Sequence, residues 1–334
     1  MTGDHHKVLI VGAGSIGERH ARCFLKTGRA AIGICELNGE VRERVSNTYD
    51  LNDVYEDIDQ AFARPWDIVL VATPANTHIP IALRAVETGA SLLIEKPLST
   101  NLDDVQALQD EVRRRGIVAA VSYNYRAHPG LRAMKSVLAE NTLGRPLQLI
   151  SIAGQDFAKY RPAYRDTYFA NHATGGGALQ DALTHQLNLG EWLVGPIVSI
   201  AVDATHQHLD GVTVEDTVTA IARHGDVSAT YALNLYQKPN ETSVTVVCEN
   251  GVVRFELHQA RLRRMTESDG EWIDESYALN DRDDWYVHNA HAFLNAVEGK
   301  SPPLCSLDEG VQTLRATLAG RRSIENQSME SVQT

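Results

Sequence analysis

Lys7-Val8-Leu9-Ile10-Val11-Gly12-Ala13-Gly14-Ser15-Ile16-Gly17 decides the fold. Residues 7–11 form a short apolar run that reads as a strand. Residues 12–17 follow it at once as G-x-G-x-x-G, and residues 15–27 read as a helix that Gly28 stops. A glycine pattern in this strand-to-helix setting predicts a dinucleotide site rather than a turn with packing duties alone. Gly12 permits the tight turn, Gly14 lets a pyrophosphate approach the backbone, and Gly17 allows helix and strand to pack closely. The helix start, with Ser15 and Ile16, offers free N–H groups and a partial positive charge to phosphate. Glu36 closes a second strand (30–35), 19 residues after Gly17. A carboxylate there accepts hydrogen bonds from an adenosine ribose 2′-hydroxyl and repels a 2′-phosphate. No arginine follows immediately, since Arg42 and Arg44 lie further on, so NAD is expected rather than NADP.

Working outward, residues 67–72, 91–94 and 117–122 read as strands, and 78–88 and 102–115 as helices. The 67–72 run has almost no polar alternation, as expected of a strand buried on both faces of a parallel sheet. After residue 123 the pattern changes. Helices are predicted at 128–140 and 177–194, a strand at 147–153, and an irregular aromatic and charged stretch up to 174. Strands at 198–203, 216–222, 227–235, 243–248 and 252–257 then follow in succession, the last two joined by the turn signal Asn250-Gly251. Helices at 283–297 and 307–324 close the chain, and a polar tail from about Ser323 is expected to fray. The fold class is therefore α/β. A Rossmann-type doubly wound parallel sheet is expected in residues 1–122, and a second α/β domain with a mostly antiparallel sheet in 123–334.

Composition narrows the function. The 334 residues are 43% hydrophobic and 22% charged, which suits a soluble globular protein. Lys plus Arg is 31 against 43 Asp plus Glu, a net charge of −12 that disfavours a nucleic-acid partner. The densest basic run, Arg113-Arg114-Arg115, reads as the end of a solvated helix. No apolar stretch is long enough to span a membrane, and no secretory leader is evident. The four cysteines (Cys23, Cys35, Cys248, Cys305) are scattered without a C-x-x-C, which points to a reducing cytoplasm. No metal is expected: His206/His208 and His288/His291 lack partner sets. No nucleophile elbow or activated cysteine suggests acyl transfer.

Three further stretches carry chemistry: Ala72-Thr73-Pro74-Ala75-Asn76-Thr77-His78, then Glu95-Lys96-Pro97, then Gly175-Gly176-Gly177-Ala178-Leu179-Gln180-Asp181-Ala182-Leu183-Thr184-His185. Lys96 lies just past a buried strand, at the carboxyl edge of a parallel sheet where ligands collect. An ammonium there can hold an alcohol oxygen by a charge-assisted hydrogen bond. Asp181 and His185 are four apart on a predicted helix and so share a face. An imidazole can take a hydroxyl proton near neutral pH, and Asp181 can orient it or bind a neighbouring hydroxyl. Taken singly, Lys96 would most often be a surface lysine, and the pair an ordinary i,i+4 contact.

Together with the glycine loop, in this order and spacing, these motifs resemble the Gfo/Idh/MocA (glucose–fructose oxidoreductase / inositol dehydrogenase) family. The resemblance implies an NAD-binding domain followed by an α/β domain whose open sheet forms the interface of a homodimer or homotetramer. It implies an oxidoreductase moving hydride between nicotinamide and a secondary alcohol carbon of a sugar, inositol or sugar derivative. Lys96 would reach the substrate hydroxyl, His185 would accept its proton, and Thr73, Pro74, Asn76 and His78 would lie beside the nicotinamide, with Glu95 and Lys96 also near the cofactor. Leu183 and Asn188 depart from the Gly and Asp that many members carry. Tyr123 and Arg126, in Tyr123-Asn124-Tyr125-Arg126, and Tyr164 and Arg165, in the tyrosine-rich 160–168 tract, could bind a carboxylate, sugar hydroxyls or a nucleotide phosphate; packing on the domain surface is the other reading. Two alternatives share the fold: glycoside cleavage through transient sugar oxidation by held NAD, and a non-catalytic sugar sensor. Intact Lys96, Asp181 and His185 count against the second.

Overall fold

The computed structural model describes residues 5–266, 270–278, 281 and 283–333. Its packing separates two compact units, Met1–Ala127 with Asn280–Val311 and His128–Leu279 with Gln312–Thr334.

The first unit alternates strand and helix: β1 (His6–Val11), α1 (Ser15–Lys26), β2 (Ala30–Cys35), α2 (Gly39–Tyr49), β3 (Asp53–Tyr55), α3 (Ile58–Phe62), β4 (Ile68–Val71), α4 (His78–Glu87), β5 (Ser91–Ile94), α5 (Val105–Arg115) and β6 (Ala119–Val121). Among the described residues these strands form one six-stranded sheet, ordered β3-β2-β1-β4-β5-β6. Every neighbouring pair is parallel. Residues 8–11 and 68–71 are no more than 4% exposed, because helices cover both faces and leave no polar side. Strand order reverses between β1 and β4, which opens a crevice at the carboxyl ends of those strands. The glycine loop follows β1, the 73–78 loop follows β4, and Glu95-Lys96-Pro97 follows β5, so all three motifs lie along that edge.

The second unit begins with α6 (Pro129–Ala139), β7 (Pro146–Asp156) and the short α7 (Phe157–Tyr160). It continues with α8 (Thr184–Val194), β8 (Ser199–Thr205), β9 (Thr217–His224), β10 (Val227–Asn234), β11 (Tyr236–Cys248), β12 (Gly251–Glu256), β13 (Arg261–Met265) and β14 (Ile273–Ser276). The closing helices are α9 (Asp284–Val297) and α10 (Leu307–Asn326), followed by β15 (Glu330–Ser331). Nine strands make one sheet among the described residues, ordered β14-β13-β12-β11-β7-β10-β9-β8-β15. It is antiparallel except where β10 runs parallel to β7. Helix α8 covers one face, with Gln186 accepting a hydrogen bond from the Ser151 hydroxyl of β7. The other face is open: along β9, Val218, Ala220 and Ala222 are buried while Thr219, Ile221 and Arg223 face out.

Two features differ from the sequence expectation. A single cut at 122/123 does not describe the units, because residues 280–311 return to the first. On α9, Ala290, Phe293 and Leu294 recur at helical spacing and join the core of Val8, Ile10, Phe24 and Ile32. The tail does not fray either. β15 pairs with β8, and Val332 is 7% exposed with its N–H donating to the Val198 carbonyl. Among the described residues no helix is long and apolar enough to cross a membrane.

Candidate active site

The three loop glycines have three distinct surroundings. Gly12 sits at φ +89°, with its N–H donating to the Cys35 carbonyl, and a Cβ there would lie 2.8 Å from the Ala72 carbonyl oxygen. A Cβ on Gly17 would stand 1.9 Å from the Gly12 carbonyl oxygen, so only glycine lets α1 pack this close to the turn. Gly14, at φ −61°, is exposed, and its Cβ position meets no protein atom within 4 Å. No side chain caps the start of α1. Its first-turn N–H groups therefore present an anion cradle beside open space, and the residues fit a dinucleotide pyrophosphate.

Glu36 completes the cradle. Its Oε2 accepts the Ala13 N–H at 2.7 Å and its Oε1 the Asn38 N–H at 2.9 Å. Each oxygen keeps a lone pair for a ribose hydroxyl. Arg42 donates to the Glu36 and Leu37 carbonyls and to Glu56, and Arg44 pairs with Glu18. Both arginines are engaged within the protein.

Beyond β4, Pro74 and Asn76 are exposed, and the Thr77 hydroxyl lies 2.7 Å from the Thr73 hydroxyl, bracing the loop. Lys96 is partly exposed at the end of β5. Two residues of these motifs, His78 and Glu95, are buried. His78 is 1% exposed, with Nδ1 3.0 Å from the Pro97 carbonyl and Nε2 2.7 Å from the Thr73 carbonyl. The ring thus sits between the two motifs, and as a neutral imidazole it donates to one of these two carbonyls. Burial holds its imidazole below the ordinary range, against the opposing pull of the carbonyls. Glu95 is 5% exposed; Oε1 lies 2.6 Å from His20 Nε2, and Oε2 accepts the Lys96 N–H at 3.1 Å. Burial by itself would raise the Glu95 carboxyl, but His20, Lys96 and the Ser122 hydroxyl together hold it below the ordinary carboxylate value. Sequence reasoning missed His20. The signal was present: Gly17, His20, Ala21 and Phe24 form the buried stripe of α1, and a histidine on such a stripe needs an internal partner.

In the second unit, residues 178–183 are wound as a π-helical turn that runs into α8, not as the first turn of an α-helix. The Leu179 N–H donates to Glu215 Oε1, and the Tyr168 hydroxyl donates to Asp181 Oδ1 at 2.8 Å, so Asp181, 5% exposed, has a fixed carboxylate. The wider turn changes the plain i,i+4 relation expected between Asp181 and His185. His185 is partly buried in the first turn of α8. The two departures from the family pattern are core residues: Leu183 is fully buried, and Asn188 donates to the Thr313 hydroxyl.

The proposed substrate donors fare differently. Tyr123 and Arg126 are each 2% exposed, and Arg126 donates to the Leu304 carbonyl and to Glu309. Tyr164 is packed against Phe157 and Phe169 with its hydroxyl on the Asp210 carbonyl. Arg165 donates to the same carbonyl and stacks over the Tyr164 ring while remaining exposed. Tyr123, Arg126 and Tyr164 are thus tied into their own units, while Arg165 stays exposed at the surface of its unit. The tyrosine-rich tract is a local aromatic core.

Comparison with known proteins bears on the arrangement. A family model described as "Oxidoreductase family, NAD-binding Rossmann fold" (GFO_IDH_MocA) matches residues 6–123, and one described as "GFO/IDH/MocA C-terminal domain" matches 131–254. Levoglucosan dehydrogenase of Pseudarthrobacter phenanthrenivorans is 30% identical over 203 residues, which is 58% of this chain and 52% of that protein. For this and two uncharacterised oxidoreductases of 26% and 30% identity, the aligned stretch spans only 52% to 59% of the relative's length. An inositol 2-dehydrogenase/D-chiro-inositol 3-dehydrogenase of Lacticaseibacillus casei is 22% identical over 97% of this chain and 94% of its own length. The structure of a levoglucosan dehydrogenase in complex with NADH and levoglucosan superposes with a TM-score of 0.89 over 99% of this chain and 100% of that one, at 20% identity. That likeness is one of fold.

Proposed function

The chain belongs to the Gfo/Idh/MocA family of oxidoreductases, and from that premise we propose that it is an NAD-dependent dehydrogenase or reductase acting on a CH–OH group of a cyclic polyol, a sugar or a sugar derivative. The observation that carries this reading is the meeting of three motifs along one edge of the six-stranded sheet: the open cradle at Gly14, the braced 73–78 loop, and Lys96. The relatives named for levoglucosan and inositol support a ring polyol as substrate.

Bound nicotinamide supplies the hydride acceptor or donor. The chain supplies geometry and electrostatics. The N–H groups of the α1 start bind the pyrophosphate, and Glu36 binds the adenosine ribose. Lys96 holds the reacting oxygen by a charge-assisted hydrogen bond and favours its developing negative charge. His185 takes the hydroxyl proton, and Asp181, held by Tyr168, orients it. The open face of the nine-stranded sheet, with Ile221 51% and Ile152 37% exposed, supports homo-oligomerisation through that face. Four buried, unbridged thiols support a reducing, cytoplasmic setting.

The test is an NADH-absorbance screen over polyols, sugars, uronates and nucleotide sugars with NAD and NADP. Turnover with NAD on at least one ring alcohol is expected. Lys96→Ala and His185→Ala should each cost about 100-fold or more in kcat, with NADH affinity near wild type. Parallel loss of cofactor affinity in both variants refutes the roles.

A further inference from the structure

We propose that His20 is a positioning residue for the reaction: through the buried Glu95 carboxylate it fixes the backbone of Lys96 from one side, while the buried His78 ring packs beside the same segment on the other. Lys96 as the group that holds the reacting oxygen, proposed above, is the premise.

The chain of contacts is short. His20 is fully buried on α1, three residues after Gly17, with its ring between those of Phe24 (6.5 Å between centroids) and Tyr286 (5.8 Å). Its Nε2 lies 2.6 Å from Glu95 Oε1. An ionised carboxylate only accepts hydrogen bonds, so this nitrogen carries the hydrogen and donates. The other carboxylate oxygen accepts the Lys96 N–H at 3.1 Å. One residue beyond, the Pro97 carbonyl meets His78 Nδ1 at 3.0 Å, and His78 Nε2 reaches the Thr73 carbonyl at 2.7 Å. The Lys96 N–H is thus held from α1, which heads the pyrophosphate cradle, and the His78 ring fills the space between Pro97 and the loop after β4.

Stability alone does not account for this arrangement. A buried carboxylate–imidazole pair is a poor source of stability, since apolar residues of similar volume commonly replace such pairs without loss. His20 Nδ1 also has no hydrogen-bond partner among the described residues, a further cost of keeping an imidazole there. Such costs are retained where geometry has to be specified, and the residue specified here is the one that bears the ammonium.

His20→Ala, His20→Gln and wild type would be compared in three measurements: kcat and KM with the alcohol found in the screen, NADH affinity by fluorescence titration, and the rate of Lys96 reductive methylation relative to exposed Lys159, read by peptide mass spectrometry. His20→Ala should lower kcat about 10- to 100-fold, as expected when a catalytic group is misplaced by about 1 Å, with NADH affinity within about twofold. The Lys96 labelling ratio should shift by about threefold or more, and His20→Gln, which keeps a donor at similar reach, should restore most of both. A lowered melting temperature with unchanged kcat and unchanged labelling overturns the proposal, as does a loss of NADH affinity in step with kcat. Should wild type oxidise no alcohol, the functional reading fails, and the labelling ratio still decides the clamp: no difference between His20→Ala and wild type overturns it.

Discussion

Gly14 and Gly17 lie three residues apart in one motif, yet alanine should act on them in opposite ways. At Gly17 the new methyl would lie 1.9 Å from the Gly12 carbonyl oxygen and 3.4 Å from Ile10 Cγ2. Helix α1 would have to retreat by about 1 Å, and with it Ala21 and Phe24, both fully buried. Overpacking of this kind costs about 1–3 kcal/mol, several degrees of melting temperature at ~2–4 °C per kcal/mol. At Gly14 the methyl would touch nothing in the protein, and φ −61° suits alanine. Stability should stay level or rise by about 0.4–1 kcal/mol through the less flexible unfolded chain. The methyl would instead occupy the space a pyrophosphate must enter. Displacing the phosphate from one or two N–H donors forfeits about 1.5–3 kcal/mol, which is about 10- to 150-fold in NADH affinity. Differential scanning fluorimetry and NADH titration on both variants separate the effects. The account of the loop is wrong if Gly14→Ala melts as early as Gly17→Ala, or if it binds NADH within about twofold of wild type.

Glu36→Ala should weaken NAD binding about tenfold, about 1.4 kcal/mol, with little change in melting temperature because Glu36 is partly exposed; undiminished NAD affinity would remove it from the cofactor site. His78 and His224 are both held below the ordinary imidazole value of 6.5, chiefly by burial, the latter with Nδ1 on the Gly195 carbonyl and Nε2 on the Tyr231 hydroxyl. A depressed folded value means that the unfolded chain binds the proton first. Their contribution to stability is full above pH 6.5 and is lost on acidification, at up to about 1.4 kcal/mol per pH unit per group. The melting temperature should fall between about pH 7 and pH 5, less steeply in His224→Gln; a slope unchanged by that substitution would count against a buried neutral His224. All four cysteines are buried and outside disulfides, with the Cys23 thiol pushed up to about 12 by burial and then by the charge of Asp283, and Cys35 to about 11 by burial and then by Glu36. Ellman's reagent should therefore leave the native protein unlabelled over minutes and titrate four thiols in denaturant; prompt native labelling would contradict the packing around α1 and β2.

Wherever a signal was local, the sequence carried it. The apolar runs at 8–11, 68–71 and 92–94 are strands because both faces are covered, and the glycines of 12–17 declare their turn by spacing alone. What escaped depends on partners far along the chain. Glu95 has its partner in His20, 75 residues away, and Arg126 in Glu309, 183 residues away. The π-helical turn around Asp181 is tied at its start to Glu215, which no periodicity links to it. β3 is too short and too polar to announce itself, with all three residues half-buried. β11 starts at Tyr236, earlier than alternation indicates, because its register against β7 shifts between Tyr236 and Glu241. The neighbours of the arginines and tyrosines near the family motifs, carbonyls and rings of the same unit, could not be read from local pattern.

The return of α9 to the nucleotide-binding unit has a consequence for biogenesis. While the ribosome has delivered only the first 127 residues, the sheet and its helices are complete in outline, yet the apolar patch around Phe24 and Ile32 awaits Ala290, Phe293 and Leu294. Those residues emerge only after the whole antiparallel sheet up to β14 has been synthesised. Sealing of the cofactor-binding half is thereby deferred until α9 has been made, so a nascent chain stalled before it would present sticky surface to chaperones and proteases.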